Sequence, residues 1–267
     1  MNYMKRFLLR TKSLVIALII SNLLLANAAF AKTTTWTPTT GGLWTTAGNW
    51  SNGVPAAGDD VIINSNQSAA ITAVPSISLV SLTVSGNCNL VASASGNTIT
   101  ITGTFSLSSG NTMSLGTNGV SRLNMTLSST CVATVNGTLN VYSTATNGLF
   151  TNSGTLSISS TGIIADGGGG NNTDFTLSAT GILNVASTQG ISTTAGTGNI
   201  RVTGTRTYTA GGEVVYNGSA AQVTGNGTQT TCDITINNAA GVTLTEALTL
   251  SLIKIPETTR LLRRSYD

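Results

Sequence analysis

The chain has 267 residues, of which only 8% are charged, against roughly 25% in ordinary globular domains. Hydrophobic residues still make up 40%, which excludes a disordered polyelectrolyte, and 4 prolines exclude a proline-rich stalk. There is no histidine, which excludes Ser-His-Asp and Cys-His catalysis, histidine acid–base chemistry and most zinc sites.

The formal charge of +3 belongs to the two ends. Lys5, Arg6, Arg10 and Lys12 open the chain, and Lys254, Arg260, Arg263 and Arg264 sit near its close. Between Thr33 and Ile253 there is no lysine, and the basic residues are Arg122, Arg201 and Arg206. The acids in the same span are Asp59, Asp60, Asp166, Asp174, Glu213, Asp233 and Glu246. Phosphate binding needs clustered Lys and Arg, so nucleic acid is not an expected partner.

Residues 1–31 read as an export signal. The basic start precedes an apolar stretch from Leu14 to Leu25 and ends in Ala29-Phe30-Ala31, small residues where a signal peptidase reads, so cleavage is expected after Ala31. An uncleaved anchor is the competing reading. No later apolar run is long enough to span a bilayer, so the mature chain is expected to be secreted or held at the cell surface, outside the membrane.

Residues 32–64 hold all three tryptophans, Trp36, Trp44 and Trp50. They are either a platform for stacking sugar rings or the filling at the end of a core. Asp59-Asp60 is the one adjacent acid pair. Neighbours on a strand point to opposite faces, so a turn entering the strand Val61 to Ile63 is the plainer reading than paired catalytic carboxylates.

Residues 65–252 read as strand after strand. Apolar residues alternate with Ser, Thr or Asn at Leu79 to Val84, Thr98 to Thr102, Leu123 to Leu127, Leu139 to Val141, Leu156 to Ile158 and Ile234 to Ile236. A unit of Gly, any residue, apolar, polar, apolar recurs from Gly103, Gly137, Gly154, Gly181 and Gly198, with starts 34, 17, 27 and 17 residues apart. A period near 17 to 20 suits one coil of a parallel β-helix, a β-solenoid capped by the Trp-rich segment. Inward Val, Ile and Leu would stack into a narrow core, and outward Thr, Ser and Asn would form uncharged ladders. At that period the body makes roughly eleven to thirteen coils, a rod on the order of 50–60 Å at ~4.8 Å per coil. An antiparallel β-sandwich, or a pair of them, is the alternative fold.

Two further features carry possible chemistry. The loop from Asp166 to Asp174 offers Asp166, Asn171, Asn172 and Asp174 as oxygen ligands for calcium, without EF-hand or nonapeptide spacing; a bare loop is the alternative. Cys88, Cys131 and Cys232 are odd in number and widely spaced, which is neither a disulfide framework nor a zinc pattern, and they read as small buried hydrophobes.

The run Trp44-Thr-Thr-Ala-Gly-Asn-Trp50-Ser-Asn-Gly-Val-Pro55-Ala-Ala-Gly-Asp59-Asp60-Val-Ile-Ile is similar to the start of large secreted repeat proteins of Bacteroidetes-type bacteria. It also resembles the opening of the G8 domain. Gly212-Glu-Val-Val-Tyr216-Asn-Gly-Ser-Ala-Ala-Gln222 and Asp233-Ile-Thr-Ile-Asn-Asn-Ala-Ala-Gly241-Val-Thr-Leu resemble later repeats of the same secreted family. The resemblance implies a non-catalytic, adhesin-like β-helical protein of the surface or extracellular matrix, with glycans or other surface and matrix proteins as partners. A carbohydrate-binding module or a polysaccharide-acting β-helix is the alternative. Such proteins usually end in a sorting domain. Residues 253–267 are arginine-rich and glycine-free instead, an atypical basic tail.

Overall fold

The computed structural model describes residues 31–168, 172–191, 196–225 and 231–245, with the backbone of Ile253–Lys254. Residues 1–30, which hold nearly all of the expected export signal, Asn171 and nearly all of the tail lie outside the described residues. Contacts divide the chain into Met1–Lys32 and Thr33–Asp267.

The second unit is a parallel β-solenoid with three faces. Face A stacks the first half of strand Ile77–Val84, the first half of Asn97–Leu107, then Ser121–Leu127, Gly148–Asn152, Thr173–Leu177 and Arg206–Tyr208. Face B runs from Thr33–Thr35 and Asp60–Ile63 through the second halves of the same two long strands. It continues with Val132–Val135, Thr155–Ile158, Ile182–Val185, Glu213–Tyr216, Asp233–Ile236 and Ile253–Lys254. Face C stacks Gly42–Leu43, Ile71–Val74, Cys88–Ala92, Thr112–Thr117, Thr138–Val141, Ile163–Asp166 and Ile200–Arg201. About six turns carry all three faces. Among the described residues every ladder pairing is parallel except a local hairpin joining Thr112–Thr117 to Ser121–Leu127, beside one isolated antiparallel bridge between Trp36 and Trp50, which excludes the antiparallel sandwich.

The coil is longer than the glycine repeat suggests. Following face B inward, Thr34 pairs with Val61, then Leu82, Phe105, Ala133, Leu156, Leu183, Val214, Ile234 and Ile253, steps of 19 to 31 residues. The glycine unit recurs on two faces: the units starting at Gly103, Gly154 and Gly181 lie on face B, and those at Gly137 and Gly198 on face C. The spacing of 17 from Gly137 to Gly154 therefore measures part of a turn. The 27 from Gly154 to Gly181 is a whole one. Nine steps on face B at ~4.8 Å give a stack about 43 Å tall, shorter than a 17-residue period predicts.

Alternation of side chains sets the interior. In Asp60–Ile63, Thr138–Val141, Thr155–Ile158 and Ile182–Val185 the second and fourth residues are buried and the first and third are not. Below face A, Ile99, Met125, Phe150 and Phe175 lie one above another, with the Phe150 and Phe175 rings stacked at 5.9 Å and 7°. Each such aliphatic or aromatic side chain contributes about 1.5–3 kcal/mol by leaving water. The repeated glycine has a steric reason. A Cβ on Gly154 would lie 2.3 Å from the Cys131 carbonyl oxygen and 2.5 Å from that of Ser128. On Gly137 it would lie 2.3 Å from the Asn111 oxygen. The chain enters these strands hard against the carbonyls of the previous coil, and only glycine leaves room.

The first coil is capped. Thr33–Thr35 pairs with Asp60–Ile63 on one side. On its other side residues 49–53 supply the missing partners. Ser51 N donates to Thr35 O (2.9 Å), Thr37 N to Asn49 O (3.0 Å), Asn52 Nδ2 to Thr33 O (2.7 Å) and Thr34 Oγ1 to Gly53 O (3.0 Å). An edge strand with its hydrogen-bonding groups thus occupied cannot recruit a neighbour.

Candidate functional site

The outward side of face A is the most regular surface of the described residues. Register places Ser78, Thr100, Thr126, Thr151, Thr176 and Thr207 one above another. Each lies between two residues whose side chains point inward, and none is fully buried. Among the described residues none of these six hydroxyls hydrogen-bonds to the protein; each remains a free donor and acceptor. Two residues further along, Val80, Thr102, Ser128, Ser153, Ser178 and Thr209 continue the same strand paths in a second row at the corner. Here four hydroxyls are tied down: Thr102 Oγ1 donates to Leu79 O (3.1 Å), Ser128 Oγ to Thr102 O (3.4 Å) and Ser153 Oγ to Ser178 Oγ (2.9 Å).

The row contrasts with what lies beneath and beside it. The residues under it change from Ile99 to Met125 to Phe150 and Phe175, while the outward position stays threonine. On face B the outward rows change from rung to rung, through Asp60, Ser81, Thr104, Val132, Thr155, Ile182, Glu213 and Asp233 in one of them. On face C the row Asn89, Ser114, Asn140, Ala165, Arg201 is mixed.

The tryptophans lie elsewhere, in the cap. Trp36, Trp44 and Trp50 are 1%, 0% and 4% exposed. The Trp50 ring meets both others edge-on, at 4.9 Å from Trp36 and 4.7 Å from Trp44. Trp50 Nε1 donates to Trp44 O (2.7 Å) and Trp36 Nε1 to Gln67 Oε1 (3.0 Å). With both ring faces inside, the cluster fills the end of the core and offers no stacking platform.

Asp166 ends a face C strand and Asp174 sits on face A. Asp166 Oδ1 accepts from Thr173 N (2.8 Å), and its Oδ2 accepts from Thr203 N (2.9 Å) and from the Thr203 hydroxyl. Asp174 Oδ1 accepts from Thr205 N (2.7 Å) and Asn147 Nδ2 (2.9 Å). Asn172 receives Gly148 N on its backbone oxygen (3.1 Å). These groups tie one coil to the next. Asn171, the fourth candidate ligand, lies outside the described residues. Asp59 closes a turn, its Oδ2 accepting from Ala56 N (2.7 Å), while Asp60 Oδ1 accepts from Ser81 Oγ (2.5 Å). The two carboxylates serve different neighbours, as expected for adjacent strand positions.

Cys88, Cys131 and Cys232 are buried thiols. Desolvation pushes their pKa from 9.0 up to about 12 at Cys88 and to about 11 at Cys131 and Cys232. A thiol so raised carries almost no thiolate at neutral pH, so these are packing residues rather than nucleophiles. Burial also lowers the Arg206 pKa and raises that of Tyr208. Arg206 donates to Ile200 O (3.0 Å) and Val202 O (2.7 Å), stitching the corner between faces C and A.

Among the described residues the surface carries depressions. One of about 320 Å³ on face C is lined by Gln67, Asn87, Asn89, Thr112 and Ser114 among others. Among the described residues there is no cluster of three or more Cys, Asp or Glu able to hold a metal ion. None of their helices is long and apolar enough to cross a membrane.

Comparison with protein-family models, curated proteins and solved structures returns no match. The site therefore rests on its own geometry. Sequence reasoning foresaw outward ladders of Thr, Ser and Asn but not which threonines align. The signal was present in the triplets Thr100-Ile-Thr102, Thr126-Leu-Ser128, Thr151-Asn-Ser153, Thr176-Leu-Ser178 and Thr207-Tyr-Thr209, which start 26, 25, 25 and 31 residues apart.

Proposed function

We propose that this chain is an exported, non-catalytic β-solenoid that acts as a structural or adhesive module at the bacterial surface or in the extracellular matrix. The observation that carries the reading is the uncharged hydroxyl row of face A, held on a rigid stack whose open end is capped against self-association. A repeated, uncharged surface suits contact with an extended surface better than chemistry on a small substrate. The export signal and the likeness of Trp44 to Ile63 to secreted Bacteroidetes-type repeat proteins support the same location.

The test has two readouts. Fractionation and protease shaving of intact cells should find the chain outside the cytoplasm; retention in the cytosol with the leader attached overturns the reading. The purified chain should leave a panel of acidic and neutral polysaccharides uncleaved; turnover of any of them would make it an enzyme.

A further inference from the structure

We infer that face A is an ice-binding surface, with the threonine row from Thr100 to Thr207 as its centre. The inference rests on the chain being exported, because it needs contact with extracellular water.

Parallel strands repeat every ~4.8 Å across the sheet, and alternate residues on one side of a strand are ~6.7 Å apart. The threonine row and the corner row beside it are therefore spaced about 6.7 Å along the strands and about 4.8 Å from coil to coil, a mesh close to the oxygen repeats along the two axes of a prism plane of hexagonal ice. The grid is rigid. The inner rungs are hydrogen-bonded to a coil above and a coil below, and they rest on the packed Phe150 and Phe175 rings.

Each free threonine hydroxyl both donates and accepts, as a lattice water does, and its methyl presents apolar surface beside it. Water over such a row has hydrogen-bond partners at a fixed repeat and no charge to reorient it. The central row contains no ionisable residue. At the border Asp174 Oδ1 is taken up by Thr205 N and Asn147 Nδ2. The corner row is anchored by its own hydrogen bonds, so its positions are fixed too.

A neutral face suits a neutral ligand, and a crystalline polysaccharide is the other neutral solid with a regular repeat. Sugar rings are gripped by exposed aromatic faces. The aromatic residues of face A, Phe150, Phe175 and Tyr208, all point inward and are at most 4% exposed. The central row left outside presents hydroxyl and methyl groups, bordered on one side by Thr98, Asn124, Leu149 and Asp174.

The test uses the full exported chain. Thermal hysteresis in a nanolitre osmometer and partition into a slowly growing ice hemisphere are measured for the wild type. The same is done for a Thr126→Lys, Thr151→Lys double variant and for Asn140→Lys on face C. Circular dichroism checks each fold. The wild type and Asn140→Lys are expected to show hysteresis and enter the ice, and the double variant is expected to lose both. If the double variant does not fold, Thr151→Tyr, which keeps strand propensity and adds only bulk, replaces it with the same expected loss. A folded wild type without hysteresis and excluded from ice overturns the inference, as does a folded face A variant with undiminished hysteresis. A wild type that ignores ice but pellets with cellulose or chitin reassigns the face to polysaccharide. If the chain is found outside the cell yet ignores ice, only this inference fails and the surface reading stands.

Discussion

Replacing Gly154 by alanine should destabilise the solenoid out of proportion to one methyl group. The new Cβ would sit 2.3 Å from the Cys131 oxygen and 2.5 Å from the Ser128 oxygen, both backbone atoms of the preceding coil that cannot rotate away. The Cys131 oxygen already accepts from Thr155 N at 2.8 Å, so retreat stretches a ladder hydrogen bond, a loss of about 0.5–1.5 kcal/mol. Overpacking of the corner adds about 1–3 kcal/mol. Together these give about 2–4 kcal/mol, which for a unit of this size lowers Tm by roughly 4–16 °C. The control is Gly48→Ala: nothing lies within 4 Å of a Cβ there, and its effect should stay within about 1 kcal/mol of zero. Both are read by thermal melting followed by circular dichroism near the strand minimum. A Gly154→Ala protein that melts with the wild type would refute the claim that the recurrent glycine marks a close backbone approach.

The tryptophan cluster should give blue-shifted emission that resists acrylamide, and Trp44→Ala should cost about 3–5 kcal/mol and make the fluorescence quenchable; red-shifted emission from the native chain would contradict the cap. The three thiols should resist a disulfide reagent in the native protein and all react in denaturant. The folded state binds the Cys88 proton more tightly than the unfolded chain, so that group's contribution to stability is complete below pH 9.0 and is lost as pH rises toward 12. Melting across that window should fall less steeply in Cys88→Ala, and parallel curves would count against the burial. Asp166→Asn turns an acceptor of backbone N–H into a donor facing it and should cost about 1–3 kcal/mol. Chelator should leave the wild-type Tm unchanged if these carboxylates serve coil-to-coil hydrogen bonds, whereas a calcium-dependent Tm would restore the loop as a metal site.

The fold class was legible because its cause is local. Alternation at Leu123 to Leu127, Leu139 to Val141 and Leu156 to Ile158 comes from one side of each strand facing a core, and that can be counted along the chain. The coil length was not, because the glycine unit answers to a corner, and a coil has more than one corner where a strand starts against a carbonyl. Gly137 and Gly154 obey the same steric rule on different faces. The hydrogen-bond partners of Asp166 and Asp174 were hidden from the sequence for a related reason. Two aspartates flanking a glycine-rich loop look like ligands, yet the donors that occupy them, Thr203 N and Thr205 N, lie 37 and 31 residues away, one coil on. The tryptophans could be read either way until the strand edge they cover was known.

The threonine row poses the opposite problem, since nothing in folding requires it. A solenoid core must conserve volume and shape from rung to rung, yet here the inward position runs from Ile99 to Met125 to Phe150 to Phe175. Its outward neighbour needs only to be polar and tolerant of a strand, and here it keeps one identity across five successive coils. Strand propensity favours threonine on any sheet surface, but the same propensity acts on face B, where the outward row passes through Thr83, Ser106, Thr134, Ser157, Asn184 and Val215. Propensity therefore accounts for threonine being common and leaves its constancy on one face unexplained. A constraint that spares the core and fixes the surface acts from outside the molecule, on something that reads the face at the coil repeat.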